Sequence, residues 1–407
     1  MRRSWLALGL IAVFGCSGRG DRPPYFKSTK LDAGAGGGFN VSNGTVDCGL
    51  PPVSDAGLCG NDIIPTQDDR PNLYFVIDAS GSMSYPFPAD PTQIKYAAAV
   101  NAITDVLQVI GHRVSYGAAL FPEPNRDTSN RYLDCMPGSE KFATRSGDSV
   151  GCSITGKTGS VLSSFESTLN NPAPSRTRFF SPSGGTPLSA TLTSLVPTLT
   201  ALPGKTAVIL ATDGAPNCNP DATCGIDLCQ SNLTQVRYTN GLVCDASINC
   251  CDPSVVPDGP SNCVDNIATN QVLDALKQAS ILTYVIGLPG EATSSAILDS
   301  MAVAGGTARD TSPRYYETDD AQTLADTLRS IATNLAVSCT IKLGQSPPNW
   351  GQVAVYFDSA RIPSQPEDGW QQVDTNTLQI TGTYCDQLMT GNVFQVQVVA
   401  GCPTYVN

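Results

Sequence analysis

The chain has 407 residues, with 24 Lys and Arg against 36 Asp and Glu, one His and fifteen Cys, and 41% of it is hydrophobic. That length and apolar content suit two or three domains with cores of their own and exclude global disorder. A net charge of −12 lacks the basic footprint needed to neutralise phosphates, so no nucleic-acid partner is expected.

The N-terminus carries an export address. Arg2 and Arg3 precede an apolar stretch from Trp5 to Phe14, and Gly15 and Cys16 follow at once. The stretch is too short to span a bilayer as a helix. Val13-Phe14-Gly15-Cys16 resembles a bacterial lipobox. The resemblance makes residues 1–15 a lipoprotein signal peptide and Cys16 the lipidated N-terminus, a membrane anchor. Ser17 rather than Asp after the Cys is compatible, in the lipoprotein class so resembled, with the expected outer-membrane location in the cell envelope, facing the periplasm or the outside. With Cys16 spent on lipid, an even number of Cys remains, which in an oxidising compartment reads as disulfides.

Residues 16–70 are rich in Gly, Pro, Ser and Asp and carry no periodicity. They read as a lipid-anchored flexible tether with a reach of roughly 40 Å. Across 71–338, apolar runs alternate with amphipathic segments. Leu73 to Ile77, Val114 to Phe121, Thr206 to Thr212, Ile281 to Leu288 and Arg314 to Thr318 are predicted strands. Helices fill the intervals, the first starting behind Pro91. This alternation predicts an α/β fold, a doubly wound mostly parallel sheet covered on both faces. Two polar stretches, about 123–176 and 217–263, read as loop insertions, the second holding seven Cys. From 339 to 407, short strand patterns separated by SPPNWG, PEDG and TGN predict a small all-β domain. Trp350, Trp370 and Tyr384 read as its core.

In doubly wound sheets, ligands bind beyond the carboxyl ends of strands, near the point where strand order reverses. Three clusters fall at such ends. The first strand runs into Asp78-Ala79-Ser80-Gly81-Ser82; Gly184-Gly185-Thr186 precedes Pro187, with Thr186 also placed to cap the next helix; and Thr206 to Thr212 leads into Asp213-Gly214. In this order the clusters resemble the von Willebrand factor type A domain with its metal-ion-dependent adhesion site, over about Pro71 to Val337. The resemblance implies that Ser80, Ser82 and Thr186 offer hydroxyl oxygens to a Mg²⁺, Mn²⁺ or Ca²⁺, while Asp78 and Asp213 act largely through coordinated water. Such hard cations take oxygen ligands, and neutral hydroxyls leave their charge uncancelled. The partner implied is a protein offering an acidic side chain, which the acidic chain would otherwise repel. The expected function is adhesion or binding at the cell envelope. The alternative is a structural or glycan-binding lipoprotein that recognises through its β domain.

Catalysis is not expected. His112 lies between a helix and a strand and reads as a cation at the helix C-terminus; one His cannot form a zinc-protease pair. Gly151 to Thr158 matches G-x-x-x-x-G-K-[ST] but lacks the buried strand in front that a phosphate loop needs. The Cys-rich insertion has no paired C-x-x-C spacing and reads as disulfides rather than zinc. Its seven Cys, and the three at 339, 385 and 402, are odd sets, so full pairing sends one bond out of each. Cys59 with Cys339, bracketing the α/β domain, is one such pairing. Asp221, Asp227, Asp245 and Asp252 read as solvated loop carboxylates rather than a calcium site.

Overall fold

The structure, a computed structural model, describes residues 62–66, 70–88, 90–123, 135–148, 159–172, 180–238, 240–290, 294–358, 360–390, 393 and 395–402. The stretch expected to be a signal peptide, Cys16, most of the expected tether, Cys59 and the Gly151 to Thr158 string lie outside them. Among the described residues no helix is long and apolar enough to cross a membrane.

The main sheet grows from β2 (Asn72–Asp78), in which all seven residues are buried. A strand covered on both faces reads as this kind of continuous apolar run. It lies parallel between β5 (Ser115–Phe121) and β7 (Thr206–Thr212), and β8 (Leu282–Gly287) and β9 (Tyr316–Glu317) extend the sheet beyond β7. The order is β6-β5-β2-β7-β8-β9, with β6 (Ser139–Ser146) antiparallel at one edge. The chain moves outward from β2 to β5 and β6, then crosses back to β7, so strand order reverses between β2 and β7.

Alternate residues of β2 face two helical layers. Leu73, Phe75 and Ile77 join the core under α1 (Lys95–Ile110), α2 (Ser160–Asn170) and α6 (Ala321–Ala336). Tyr74 and Val76 join the opposite core under α3 (Leu188–Ala201), α4 (Asn266–Gln278) and α5 (Ser295–Gly305). The doubly wound α/β expectation holds.

Two local expectations are corrected. Residues 90–94 form a strand, β4 (Asp90–Ile94), hairpinned with β3 (Pro86–Phe87), so α1 starts at Lys95 rather than behind Pro91. A two-stranded hairpin leaves one side of each strand unpaired, where a missing proline N–H costs no ladder bond. The stretch 123–176 is not only loop: it supplies β6 and α2, and Phe165 of α2 packs edge-on against Tyr116 and Phe142. β6 reads as polar because only Phe142 of its eight residues is buried. His112 is buried in the turn after α1, where Arg113 Nε lies 3.2 Å from its Nε2.

The Cys-rich insertion is held together mainly by cystines. Cys224–Cys263, Cys229–Cys251 and Cys244–Cys250 pair within it, and Cys218–Cys135 ties it to the segment before β6. The exit bond required by the odd count is therefore Cys218–Cys135. The Sγ atoms of Cys224, Cys251 and Cys263 lie close together, but all three are spent in disulfides. Asp245 and Asp252 are exposed and accept bonds from Ser247 and Ser254 of their own turns, which holds both carboxyls below their ordinary range. Asp221 and Asp227 are exposed as well.

The C-terminal strands form two antiparallel sheets. One has the order β1-β15-β11-β12, with β1 (Asp62–Ile64), β11 (Val353–Phe357), β12 (Ala360–Ile362) and β15 (Val396–Ala400). The other has the order β10-β14-β13, with β10 (Thr340–Lys342), β13 (Gly369–Gln372) and β14 (Thr377–Thr381). Trp370 is buried between them, with Trp350 and Tyr384 packed alongside, and one short helix, α7 (Gly382–Met389), adds to the strands. β1 belongs here, so residues 62–66 depart from the flexible stretch expected over 16–70: Ile63 faces Val399 in register, and Thr66 bridges to Leu343. A three-residue strand inside a Pro- and Asp-rich stretch is too short for periodicity to reveal. Cys339 pairs with Cys385, which overturns the Cys59–Cys339 pairing.

Candidate functional site

The reversal between β2 and β7 puts Asp78 and Asp213 at neighbouring strand ends, where Ile77 pairs with Ala211 and the next residues diverge. Asp78 is fully buried. Its Oδ1 accepts from the Ser80 amide at 2.7 Å, and its Oδ2 from the Thr212 hydroxyl at 2.6 Å. These bonds fix the carboxylate across the gap between the two strands. Burial first, and the nearby Asp213 charge second, push its pKa up to about 7, against the downward pull of the Thr212 and Ser80 bonds.

The hydroxyls lie on the solvent side of Asp78. Ser80 Oγ is 3.1 Å from Ser82 Oγ, and Ser82 donates to Asp213 Oδ1 at 2.7 Å. Ser80 and Asp213 are buried while Ser82 is exposed. The cluster therefore runs from a buried floor to an open mouth.

Thr186 is brought in by backbone bonds from both sides. Gly81 N donates to Gly184 O at 3.0 Å and Ser183 N to Ala79 O at 2.9 Å, which lays the Gly-Gly-Thr loop along the Ser80 loop. Gly184 adopts φ +92°, a left-handed conformation that glycine takes without a Cβ clash. On the other side Thr186 N donates to Asn217 Oδ1 at 2.7 Å, and Asn217 N to Thr186 O at 3.0 Å. Thr186 does not cap α3: the N-cap residue is Pro187 and no side chain caps the helix, so the hydroxyl is not spent there. The Cys135–Cys218 disulfide lies directly behind this loop. A Cβ on Gly185 would come within 2.4 Å of the Cys218 sulfur.

Sequence reasoning missed four residues of this region. Thr212 and Asn217 act through the bonds just described. Buried Asp265 accepts from Ser189 of α3 and, at 2.8 Å, from Asn219, anchoring the Cys-rich insertion. Lys95 is the fourth. It lies beneath the cluster, 5% exposed, with Nζ 2.5 Å from Asp213 Oδ2 and donating to Pro289 O at 2.7 Å. Asp213 Oδ2 is buried and receives no hydrogen bond of good geometry; the Lys95 contact is an ion pair by distance. The sequence pattern starts the helix behind Pro91, so the place of Lys95 as its first residue is visible only in the fold. Beside Asp213 a cavity of about 150 Å³ opens, lined by Pro289, Gly290, Tyr315, Glu317 and Asp319 among others.

The donor set is oxygen only: two carboxylates, one with an under-satisfied buried oxygen, and three hydroxyls on loops stitched together by backbone bonds. That set fits a hard divalent cation.

No family model matches the sequence, and no curated protein does. Solved structures do match. The pilus adhesin SpaC from Lactobacillus rhamnosus GG is 16% identical with a TM-score of 0.44, covering 82% of this chain and 39% of its own. The manganese-loaded TRAP protein of Plasmodium vivax is 14% identical with a TM-score of 0.34, covering 83% of this chain and 95% of its own. Proximal thread matrix protein 1 from the mussel byssus, with a zinc-occupied MIDAS motif, is 12% identical with a TM-score of 0.36, covering 65% and 45%. The chain thus corresponds to well under half of the SpaC chain. Sheet order, the two helical layers and the loops at the reversal point form a doubly wound α/β fold, as the resemblance to the von Willebrand factor type A domain implies.

Proposed function

We propose that the protein is an adhesion-type binding protein of the cell envelope, which engages a protein partner through a divalent cation held by Asp78, Ser80, Ser82, Thr186 and Asp213. The single observation that carries this is the cluster itself: Ser80, Ser82 and Asp213 joined by hydrogen bonds at one strand reversal beside buried Asp78, with Ser82 exposed and the Thr186 loop laid along the Ser80 loop by backbone bonds. When bound, a Mg²⁺ or Mn²⁺ supplies positive charge and an open coordination position for a partner's Asp or Glu. The chain's own residues hold the loops in place. Asp78 locks the two strand ends through Thr212 and Ser80, and Asn217 holds Thr186 beside them.

Residues 1–15 are assigned as the lipoprotein signal peptide and Cys16 as the outer-membrane anchor, on the sequence alone. The tether leads into a β module formed by 62–66 together with the residues from about 339 onward. The α/β domain is an insertion between those two parts. Burial of Trp370 between its sheets, with Trp350 and Tyr384 packed beside it, argues against an aromatic glycan surface on that module.

Capture of envelope and cell-surface proteins on the full chain tests the reading. Partner capture is expected in Mg²⁺ and is lost in EDTA and with Asp78→Ala. Capture that survives both would place recognition elsewhere on the molecule.

A further inference from the structure

We infer that Lys95 is a built-in ammonium counter-ion for the cation site: it holds Asp213 when no metal is bound, and it competes with the metal for that carboxylate. The inference rests on the proposed metal site and concerns how that site is tuned.

Four observations converge on it. Lys95 is 5% exposed, and a buried ammonium persists only where it is paired. Its Nζ lies 2.5 Å from Asp213 Oδ2, the one carboxylate oxygen of the cluster with no hydrogen bond of its own. Asp213 Oδ1 is taken by Ser82, and both oxygens of Asp78 are taken by Ser80 and Thr212. Lastly, Lys95 is the first residue of a sixteen-residue helix, where the positive end of the helix dipole repels it. A local rule broken this way marks a position chosen for something other than helix stability.

The same ammonium donates to Pro289 O in the loop after β8. That loop is already pressed on the site: a Cβ on Gly290 would come within 1.6 Å of the Asp213 carbonyl oxygen. Lys95 thus bridges Asp213 to the β8 loop. Without it, Asp78 and Asp213 would face each other at one buried spot with no charge between them. A divalent cation drawing Asp213 toward the hydroxyls must take it from Lys95 or endure a positive charge a few ångströms away.

The predicted signature is a split that a merely structural lysine would not produce. Replacing Lys95 by Met or Gln destabilises the metal-free protein and tightens metal binding. Calorimetric titration of the full chain with Mn²⁺ is expected to give an affinity at least about tenfold higher for Lys95→Met than for wild type. The melting temperature of the metal-free variant falls, and the rise on adding Mn²⁺ grows. Equal or weaker Mn²⁺ binding by folded variants overturns the inference while leaving the metal site standing; no binding by wild type or variants overturns both. A measurement on the wild type covers the case in which the variants fail to fold. In a Mn²⁺-loaded crystal the Lys95 Nζ to Asp213 Oδ2 separation should exceed ion-pair range, and an intact pair beside bound metal contradicts the competition.

Discussion

Asp78 shows how one residue reads differently from sequence and from structure. Its place after an apolar strand and two residues before a serine is legible in the chain, but its environment is not. Burial and the Asp213 charge raise its pKa to about 7. The folded protein therefore holds that proton more tightly than the unfolded chain does, and protonation favours folding. In the metal-free protein this contribution is fully present below the ordinary carboxylate range and is lost as pH rises through about 7. Melting of the EDTA-treated protein should accordingly fall by several degrees between pH 5 and pH 8, and Asp78→Asn should flatten that slope while abolishing the metal-induced rise. Metal affinity should run the other way, weakening below about pH 7 as cation and proton compete. A metal-free melting temperature that climbs across the same window would contradict the assignment. Thr212, Asn217 and Lys95 escaped the sequence reading because their roles are long-range bonds that no local pattern announces.

Among the elements, strands that read as continuous apolar runs were the easiest to find. The apolar runs of β2, β5, β7 and β8 stand out because both faces of the sheet are covered. β6 and β1 did not stand out. An edge strand with one buried side chain, and a three-residue strand whose partner lies at the far end of the chain, offer no periodic signal. The loops of the site depend on a covalent element too. Cys135–Cys218 closes a loop of 83 residues directly behind Gly185 and Thr186. Replacing both cysteines by Ser should cost about 2–5 kcal/mol of stability. It should also weaken Mn²⁺ binding several-fold, because Thr186 loses its backing; denaturant unfolding and calorimetry check the two parts separately. Unchanged metal affinity would mean that Asn217 and the backbone bonds suffice to hold the loop.

For the whole molecule, the two helical layers were legible in the chain, whereas the pairing of β1 with β15 was not. The chain passes through the β module first as β1, crosses into the α/β domain, and returns at β10, so the two ends of the α/β domain are gathered onto one module. Arg113, in the turn after α1, donates to the Val393 carbonyl of that module, a second connection between the two. Ile64 is the residue to probe here. It is 2% exposed in the β-module core although it precedes the α/β domain in sequence. Ile64→Ala should cost about 2–4 kcal/mol and lower the unfolding midpoint of the β module, followed through Trp370 fluorescence. A neutral effect would show that β1 is dispensable and that the tether does extend to the start of the α/β domain.

The central claim is that the five oxygen-bearing residues at the strand reversal hold a divalent cation. Calorimetric titration of the metal-free full chain with Mn²⁺ at pH 8, beside the same titration of Asp213→Ala, tests it most directly. The account predicts one saturable site per chain in the wild type and its loss in the variant; a wild type that takes up no Mn²⁺, or a variant that binds it equally well, would contradict it.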